Sequence, residues 1–352
     1  MNVVAGLSCV PPRRTGGRAA VLAMSIVGVV MWGPTSVSSQ AVGTVPYTRR
    51  SDVIYGHKSG LALTMEVFVP GDPNGLGVVW VVSSSGVSSR DQTLQPGFDR
   101  RIMPFLEHRY TVFAVIHGSA PRFQIEDFVS DVTRAVKFVR YHAGQFGIDG
   151  ERLAIAGASA GGYLALMVAL NGRDGDKGAD DAVERMPGRV AVAGCFFPPS
   201  DLIDYGGSGE DIVAFLHRKY GVVDPSFRFF TTDSTGIPEL VVDPAEVARR
   251  LSSMSPITHV SADDPPVMVI HGDRDEAVPV QQSERLVERL RHAGVLAHLI
   301  VRTGKGHTWQ GWEADGEAIA DWFDSQLLSS RRGPHKDDVR DEPHGGGREP
   351  RR

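Results

Sequence analysis

The chain has 352 residues, a length that admits two average domains or one large α/β domain. Its 41% hydrophobic content is enough for a sizeable core, and a formal charge of −5 with no long like-charge block in the central region argues against nucleic acid as a partner. The N-terminus has the pattern of an export signal over residues 1–41: Arg13, Arg14 and Arg18, then an apolar run from Ala19 to Trp32, then small residues around Ser39-Gln40-Ala41. That run falls short of the roughly 20 residues that cross a bilayer comfortably, so an exported, periplasmic or extracellular protein is expected, with an uncleaved membrane anchor as the alternative and no stable membrane span. Loss of the signal would remove Cys9 and leave Cys195, in an apolar run, without an intrachain disulfide partner.

A Ser/Thr/Gly-rich linker over residues 34–48 leads into a folded domain assigned to residues 42–328. Leu61, Leu63, Met65, Val67 and Val69 alternate as in a half-buried strand. Val78 to Val82 and Thr111 to Val115 are continuous apolar runs, as in parallel strands buried on both faces. Phe128, Val132, Ala135, Val136 and Val139 share one helical face. Leu153 to Ala156 is a further strand, followed at once by a helix over 160–170. Strands at 190–195, 267–270 and 298–301 follow, with helices marked by Leu286, Leu290 and Ala293 and by Ile319, Trp322, Phe323 and Leu327. This alternation implies an α/β fold, a mostly parallel sheet with helices on both faces. Residues 199–264 are too long for a simple connection and carry six aromatic side chains, so they are expected to form a cap insertion over a substrate pocket. Residues 329–352 have hardly an apolar residue and are expected to be a disordered tail.

The chemistry begins at Gly157-Ala158-Ser159-Ala160-Gly161, where a strand ends, a helix begins and one serine sits between two glycines. Such a turn exposes the hydroxyl at a helix N-terminus, where backbone N–H groups favour a developing anion. A serine nucleophile needs a base, and the base an orienting acid, in the order Ser, acid, His. The acid candidate is Asp275, in His271-Gly272-Asp273-Arg274-Asp275; Asp273 is the rival, better suited to stabilising its own turn, and Glu276 faces water. The base candidate is His307, in Gly304-Lys305-Gly306-His307-Thr308-Trp309. His271 reads as a structural histidine and His117 as a substrate-contact candidate, while His57, His108, His142, His259 and His292 read as surface or packing positions. A metal site from His271, Asp273 and Asp275 lacks any recognisable ligand spacing, and neither metal nor cofactor is expected. Oxyanion donors are expected from the N–H of Ala160 and from Ser84 and Ser85 in the loop after the third strand, Ser83 to Val87.

The segments Gly157–Gly162, His271–Pro279 and Gly304–Trp309, with Asp131 and Arg152 ahead of the serine, resemble the α/β-hydrolases grouped with prolyl-oligopeptidase catalytic domains and acetyl-xylan or feruloyl-type esterases. The resemblance covers nearly all of residues 48–328. It implies an eight-stranded α/β-hydrolase fold and Ser159, Asp275 and His307 as a catalytic triad. One departure stands out: the family's His-Gly-Gly-Gly loop is here Ser83-Ser84-Ser85-Gly86. Three functions fit: hydrolysis of small-molecule or carbohydrate-linked carboxylic esters through an acyl-enzyme, serine peptidase action with Glu210 or Asp211 holding a substrate amine, or ligand binding without turnover.

Overall fold

The computed structural model describes residues 37–40, 45–232, 235 and 237–328; most of the segment assigned to an export signal and the whole C-terminal tail lie outside the described residues. Eleven strands and nine α-helices are described. They run β1 (Val37–Gln40), β2 (Tyr47–Lys58), β3 (Leu61–Pro70), β4 (Gly77–Val82), α1 (Arg90–Leu94), α2 (Phe98–Glu107), β5 (Thr111–Ile116), α3 (Ile125–Tyr141), α4 (Ala143–Phe146), β6 (Leu153–Ala158), α5 (Ala160–Leu170) and β7 (Val192–Phe196). There follow α6 (Ile212–Tyr220), β8 (Phe230–Thr232), β9 (Pro238–Leu240), α7 (Pro244–Ser253), β10 (Val267–Gly272), α8 (Gln281–His292), β11 (Ala297–Arg302) and α9 (Gly316–Leu327).

Nine strands form one sheet in the order β1-β2-β3-β5-β4-β6-β7-β10-β11. The neighbours from β5 to β11 pair in parallel, and the first three strands join antiparallel. The sheet has one strand more than the eight expected, because Val37–Gln40, in the stretch assigned to the end of the export signal and to a linker, takes the free edge of β2. Period-two geometry divides each buried strand between two layers. Val78, Trp80 and Val82 of β4 join Phe98, Ile102 and Phe105 of α2 and Ile319 and Phe323 of α9 in one apolar cluster. On β7, Gly194 lets α9 approach closely: a Cβ there would overlap Ile319 and Phe323. Helices α3 and α5 pack together and onto β4, β5 and β6.

This topology delivers loops to one edge. Ser83, His117, Ser159, Phe197, Asp275 and His307 all lie just past the C-terminal ends of parallel strands, where a sheet of this kind gathers its functional side chains. Between β7 and β10 the chain runs through α6, the β8–β9 hairpin and α7 before rejoining the sheet.

Candidate active site

Ser159 occupies the junction between β6 and α5 with φ 53° and ψ −121°, a conformation rarely populated by a residue with a side chain. Its N–H donates to Phe196 O at 3.0 Å, which ties the turn to the neighbouring strand. The flanking glycines are required by contact. A Cβ on Gly157 would overlap the Gly161 carbonyl, and a Cβ on Gly161 would overlap Val81 O.

His307 stands between Ser159 and Asp275. Its Nε2 is 2.9 Å from Ser159 Oγ and its Nδ1 is 2.7 Å from Asp275 Oδ2. Burial alone would push the Asp275 carboxyl up, but hydrogen bonds from His271 and His307, the charge of His307 and the Val278 N–H outweigh it and hold the group at about 2. An ionised Asp275 can only accept, so His307 carries its proton on Nδ1 and Nε2 is free to accept the serine proton. The second carboxylate oxygen accepts the N–H groups of Ala277 and Val278, both at 2.8 Å.

His271 is fully buried below this pair. Its Nε2 lies 2.8 Å from Val278 O and 3.2 Å from Asp275 Oδ2, and its Nδ1 lies 2.6 Å from Ser283 Oγ. Because a carbonyl only accepts, Nε2 carries the proton and Nδ1 accepts from the serine. Asp273 serves the loop of His307 instead of its own turn: its Oδ1 accepts the Gly304 N–H at 2.6 Å. Glu276 faces solvent and pairs with Lys219. His271 and Asp275 thus meet each other, while Asp273 is turned to the Gly304 N–H.

Two expectations for the surrounding residues need correction. Ser84 donates its N–H to Val87 O and accepts the Val87 N–H, each at 2.9 Å, closing a tight turn with positive φ at Ser85 and Gly86. Its amide is thus committed and unavailable to an oxyanion. The Ser85 N–H has no acceptor among the described residues, and Ala160 opens α5, where helix geometry leaves its N–H without an intrahelical partner. His117 is 3% exposed, packed at a tilt against Phe128 and bonded to its neighbour's carbonyl, and burial lowers its imidazole to about 4. It lies outside the cavity wall. Cys195 is wholly buried in the core, which pushes its thiol up.

The serine-rich loop has its own anchors in place of a leading histidine. Ser88 Oγ donates to Val82 O at 2.5 Å, Ser88 N–H donates to Ser119 Oγ at 2.9 Å, and Ala120 N–H donates to Gly86 O at 3.0 Å.

Ser159, Ala160, His307 and Ser83 to Val87 open into a cavity of about 1000 Å³. Residues between β7 and β10, among them Leu202, Tyr205, Ile212, Val222 and Phe227, form its far wall. Ser226 packs so closely on Gly86 that any side chain there would collide with it. Glu210 and Asp211 lie outside this wall: Glu210 is held in a two-pronged ion pair by Arg218 at 2.6 and 2.7 Å, and Asp211 caps α6 through the Ala214 N–H. Three further residues of the site had no sequence signal. Phe197, at φ 37°, sets its ring 4.6 Å from that of His307; Trp312 packs 5.4 Å behind it; and Arg101 lies over Trp312 at 5.8 Å.

Residues 65–290 match the model of the BD-FAE family. A probable carboxylic ester hydrolase of Mycobacterium tuberculosis, LipM, is 30% identical over 182 residues, covering 51% of this chain and 37% of that protein. A probable isoprenylcysteine alpha-carbonyl methylesterase of Arabidopsis thaliana, ICMEL1, is 25% identical over 279 residues, covering 75% and 51%. Both matches span well under two thirds of the relative's length. A thermophilic esterase of the planctomycete Thermogutta terrifontis superposes with a TM-score of 0.58 at 19% identity over 82% of this chain and 94% of that one, and it shares the α/β-hydrolase fold.

Proposed function

The chain belongs to the BD-FAE family, and from that membership and the Ser159–His307–Asp275 geometry we propose that it hydrolyses carboxylic esters by nucleophilic catalysis. The observation that carries the reading is the unbroken path Ser159 Oγ, His307 Nε2, His307 Nδ1, Asp275 Oδ2, with contacts of 2.9 and 2.7 Å at the head of a large cavity. In the first step Ser159 Oγ attacks the acyl carbon while its proton passes to His307 Nε2. Ionised Asp275 holds the ring and stabilises the imidazolium. The carbonyl oxygen, now negative, is met by the Ala160 N–H and by an uncommitted amide of the Ser83–Gly86 loop, of which Ser85 offers one. Collapse expels the alcohol, which takes the proton from His307. A water then repeats the sequence on the acyl-enzyme, returning Ser159 and releasing the acid.

Small-molecule or carbohydrate-linked esters are the proposed substrates, since the named relatives are ester hydrolases and the far wall of the cavity is largely apolar. The peptidase reading loses its support because Glu210 and Asp211 are engaged elsewhere. Export is part of the same proposal and rests on the Arg13–Ala41 pattern; N-terminal sequencing of secreted protein tests it. Among the described residues, no helix is long and apolar enough to cross a membrane.

The test is direct. The chain should release 4-nitrophenol from 4-nitrophenyl acetate and be labelled by a fluorophosphonate, and Ser159→Ala should abolish labelling and lower kcat by about 10⁴ or more. Equal turnover by Ser159→Ala would sink the proposal.

A further inference from the structure

The cavity lining mixes apolar and polar residues. The part built by residues after β7 is mainly apolar, with Leu202, Ile212, Leu216 and Val222. The rest of the lining includes Gln92, Gln95, Thr308 and Arg101. Arg101 projects from α2, a helix whose other inward side chains Ile102, Phe105 and Leu106 are wholly buried in the core.

The setting of Arg101 is unusual for a cation. Its Nε is buried with no hydrogen-bond partner, and among the described residues it makes no ion pair. Burial lowers its pKa, and Glu313, which opposes that shift, stays too far away to pair with it. Within the cavity wall the carboxylate is that of Asp224, and its Oδ1 already accepts the Ser226 N–H at 2.8 Å. The face of Arg101 rests on Trp312, whose ring leads through Phe197 to His307. A partly desolvated guanidinium is costly unless an anion meets it, and its planar fork suits a carboxylate best held in two-pronged fashion. The other enclosed arginines are satisfied: Arg49 meets Glu66, Arg134 meets Glu184 and Asp181, and Arg140, which has no carboxylate beside it, donates instead to the carbonyls of Gly150, Pro187 and Arg189.

We propose that Arg101 is the specificity-determining residue of this cavity and that the ester it serves carries a carboxylate, which Arg101 binds while Ser159 attacks the acyl carbon. The inference deepens the ester-hydrolase reading and rests on it. Trp312 buttresses the guanidinium from behind and excludes water from it, so the ion pair forms in a setting of low dielectric and contributes more than an exposed pair would. The apolar part of the lining then receives the rest of the molecule, which makes the preferred ester amphipathic.

The experiment compares charged and neutral esters of matched shape in two arms. Mono-4-nitrophenyl adipate against 4-nitrophenyl hexanoate places the carboxylate on the acyl half; 4-acetoxybenzoate against 4-acetoxybenzamide places it on the alcohol half. In at least one arm the protein should favour the charged ester, and Arg101→Gln should lower the charged-to-neutral ratio of kcat/KM by about tenfold or more, with Arg101→Lys keeping much of it. A ratio that Arg101→Gln leaves unchanged in both arms overturns the proposal. Turnover of the neutral esters reports on the hydrolase reading separately. Calorimetric binding of the same charged and neutral esters to Ser159→Ala, with and without Arg101→Gln, decides the role of Arg101 without any turnover; equal affinities with and without the arginine overturn it.

Discussion

Ser159 holds its positive φ at a cost of about 1–3 kcal/mol, sustained because β6, the start of α5 and Phe196 O fix the backbone on both sides. The cost brings the hydroxyl to His307 without any rearrangement. Asp275 is set with equal care, since two histidines and two backbone N–H groups converge on its carboxylate. Asp275→Asn should leave the fold intact and lower kcat by about 10⁴, because the amide no longer fixes the His307 tautomer. With the carboxyl at about 2, that deficit should be the same at pH 5 as at pH 8. The stability that ionised Asp275 contributes is present above the unfolded value of about 3.9 and is lost as pH falls through about 2. The melting temperature of the wild type should therefore fall toward that of Asp275→Asn between about pH 4 and pH 2. These three residues could be found in the sequence because each stands in a short motif directly after an apolar strand. Arg101, Phe197 and Trp312 could not, since their roles arise from contacts between segments far apart in the chain.

At the scale of elements, one buried side chain anchors the start of the insertion between β7 and β10 to the sheet domain. Gln282, at the start of α8, accepts the N–H groups of Ser200 and Asp201 at 2.8 and 2.7 Å and donates to the carbonyls of Asp201, Asp204 and Tyr205 at 3.1 to 3.2 Å. Tyr205 adds a bond from its hydroxyl to Ala277 O, beside Asp275. Gln282→Leu keeps the volume and leaves those five backbone groups without their partner, which should cost about 3 kcal/mol or more in urea denaturation. Because Leu202 and Tyr205 line the cavity, KM for a small ester should rise as well; an unchanged KM would show that the insertion holds its place by other means. The buried strands and amphipathic helices were legible from their periods, but β2 and α2 were not. In β2 the inward positions include Arg49 and Ser51, so the alternation reads as polar until Glu66, fully buried on β3, supplies the partner to Arg49 at 2.8 Å. In α2, Pro104 interrupts a helix whose apolar face is otherwise clear. The closed turn that commits the Ser84 amide was hidden too, because a run of serines does not reveal which residue takes positive φ.

For the whole molecule, α9, the last described element, packs across α2. His108, which ends α2, puts Nδ1 2.8 Å from Asp324 Oδ2 and Nε2 2.9 Å from Glu317 Oε1, with Asp321 at 3.9 Å. Tyr110 donates to the other oxygen of Asp324 at 2.7 Å, and Arg152, just before β6, donates to Leu327 O at 2.9 Å. Burial alone would lower the His108 imidazole; its hydrogen bonds to the Glu317 and Asp324 carboxylates and their negative charge prevail and hold it above its ordinary value. The end of α2 adds to this, since a helix C-terminus favours a cation. A group whose folded value is raised contributes stability fully below its unfolded value of about 6.5 and loses that contribution as pH rises through the folded value. Tight docking of α9 against α2 should therefore weaken on the alkaline side. Phe323, stacked on Phe105 at 5.7 Å, holds the apolar part of the contact at any pH, so the helix stays in place while its polar latch opens. His108→Gln should lower the melting temperature most near pH 6 and progressively less toward pH 9. Hydrogen exchange in α9 should follow the same course, accelerating with pH beyond the intrinsic rate in the wild type and not in His108→Gln. A wild-type-to-variant difference that stays flat from pH 6 to pH 9 would mean that His108 acts by packing alone.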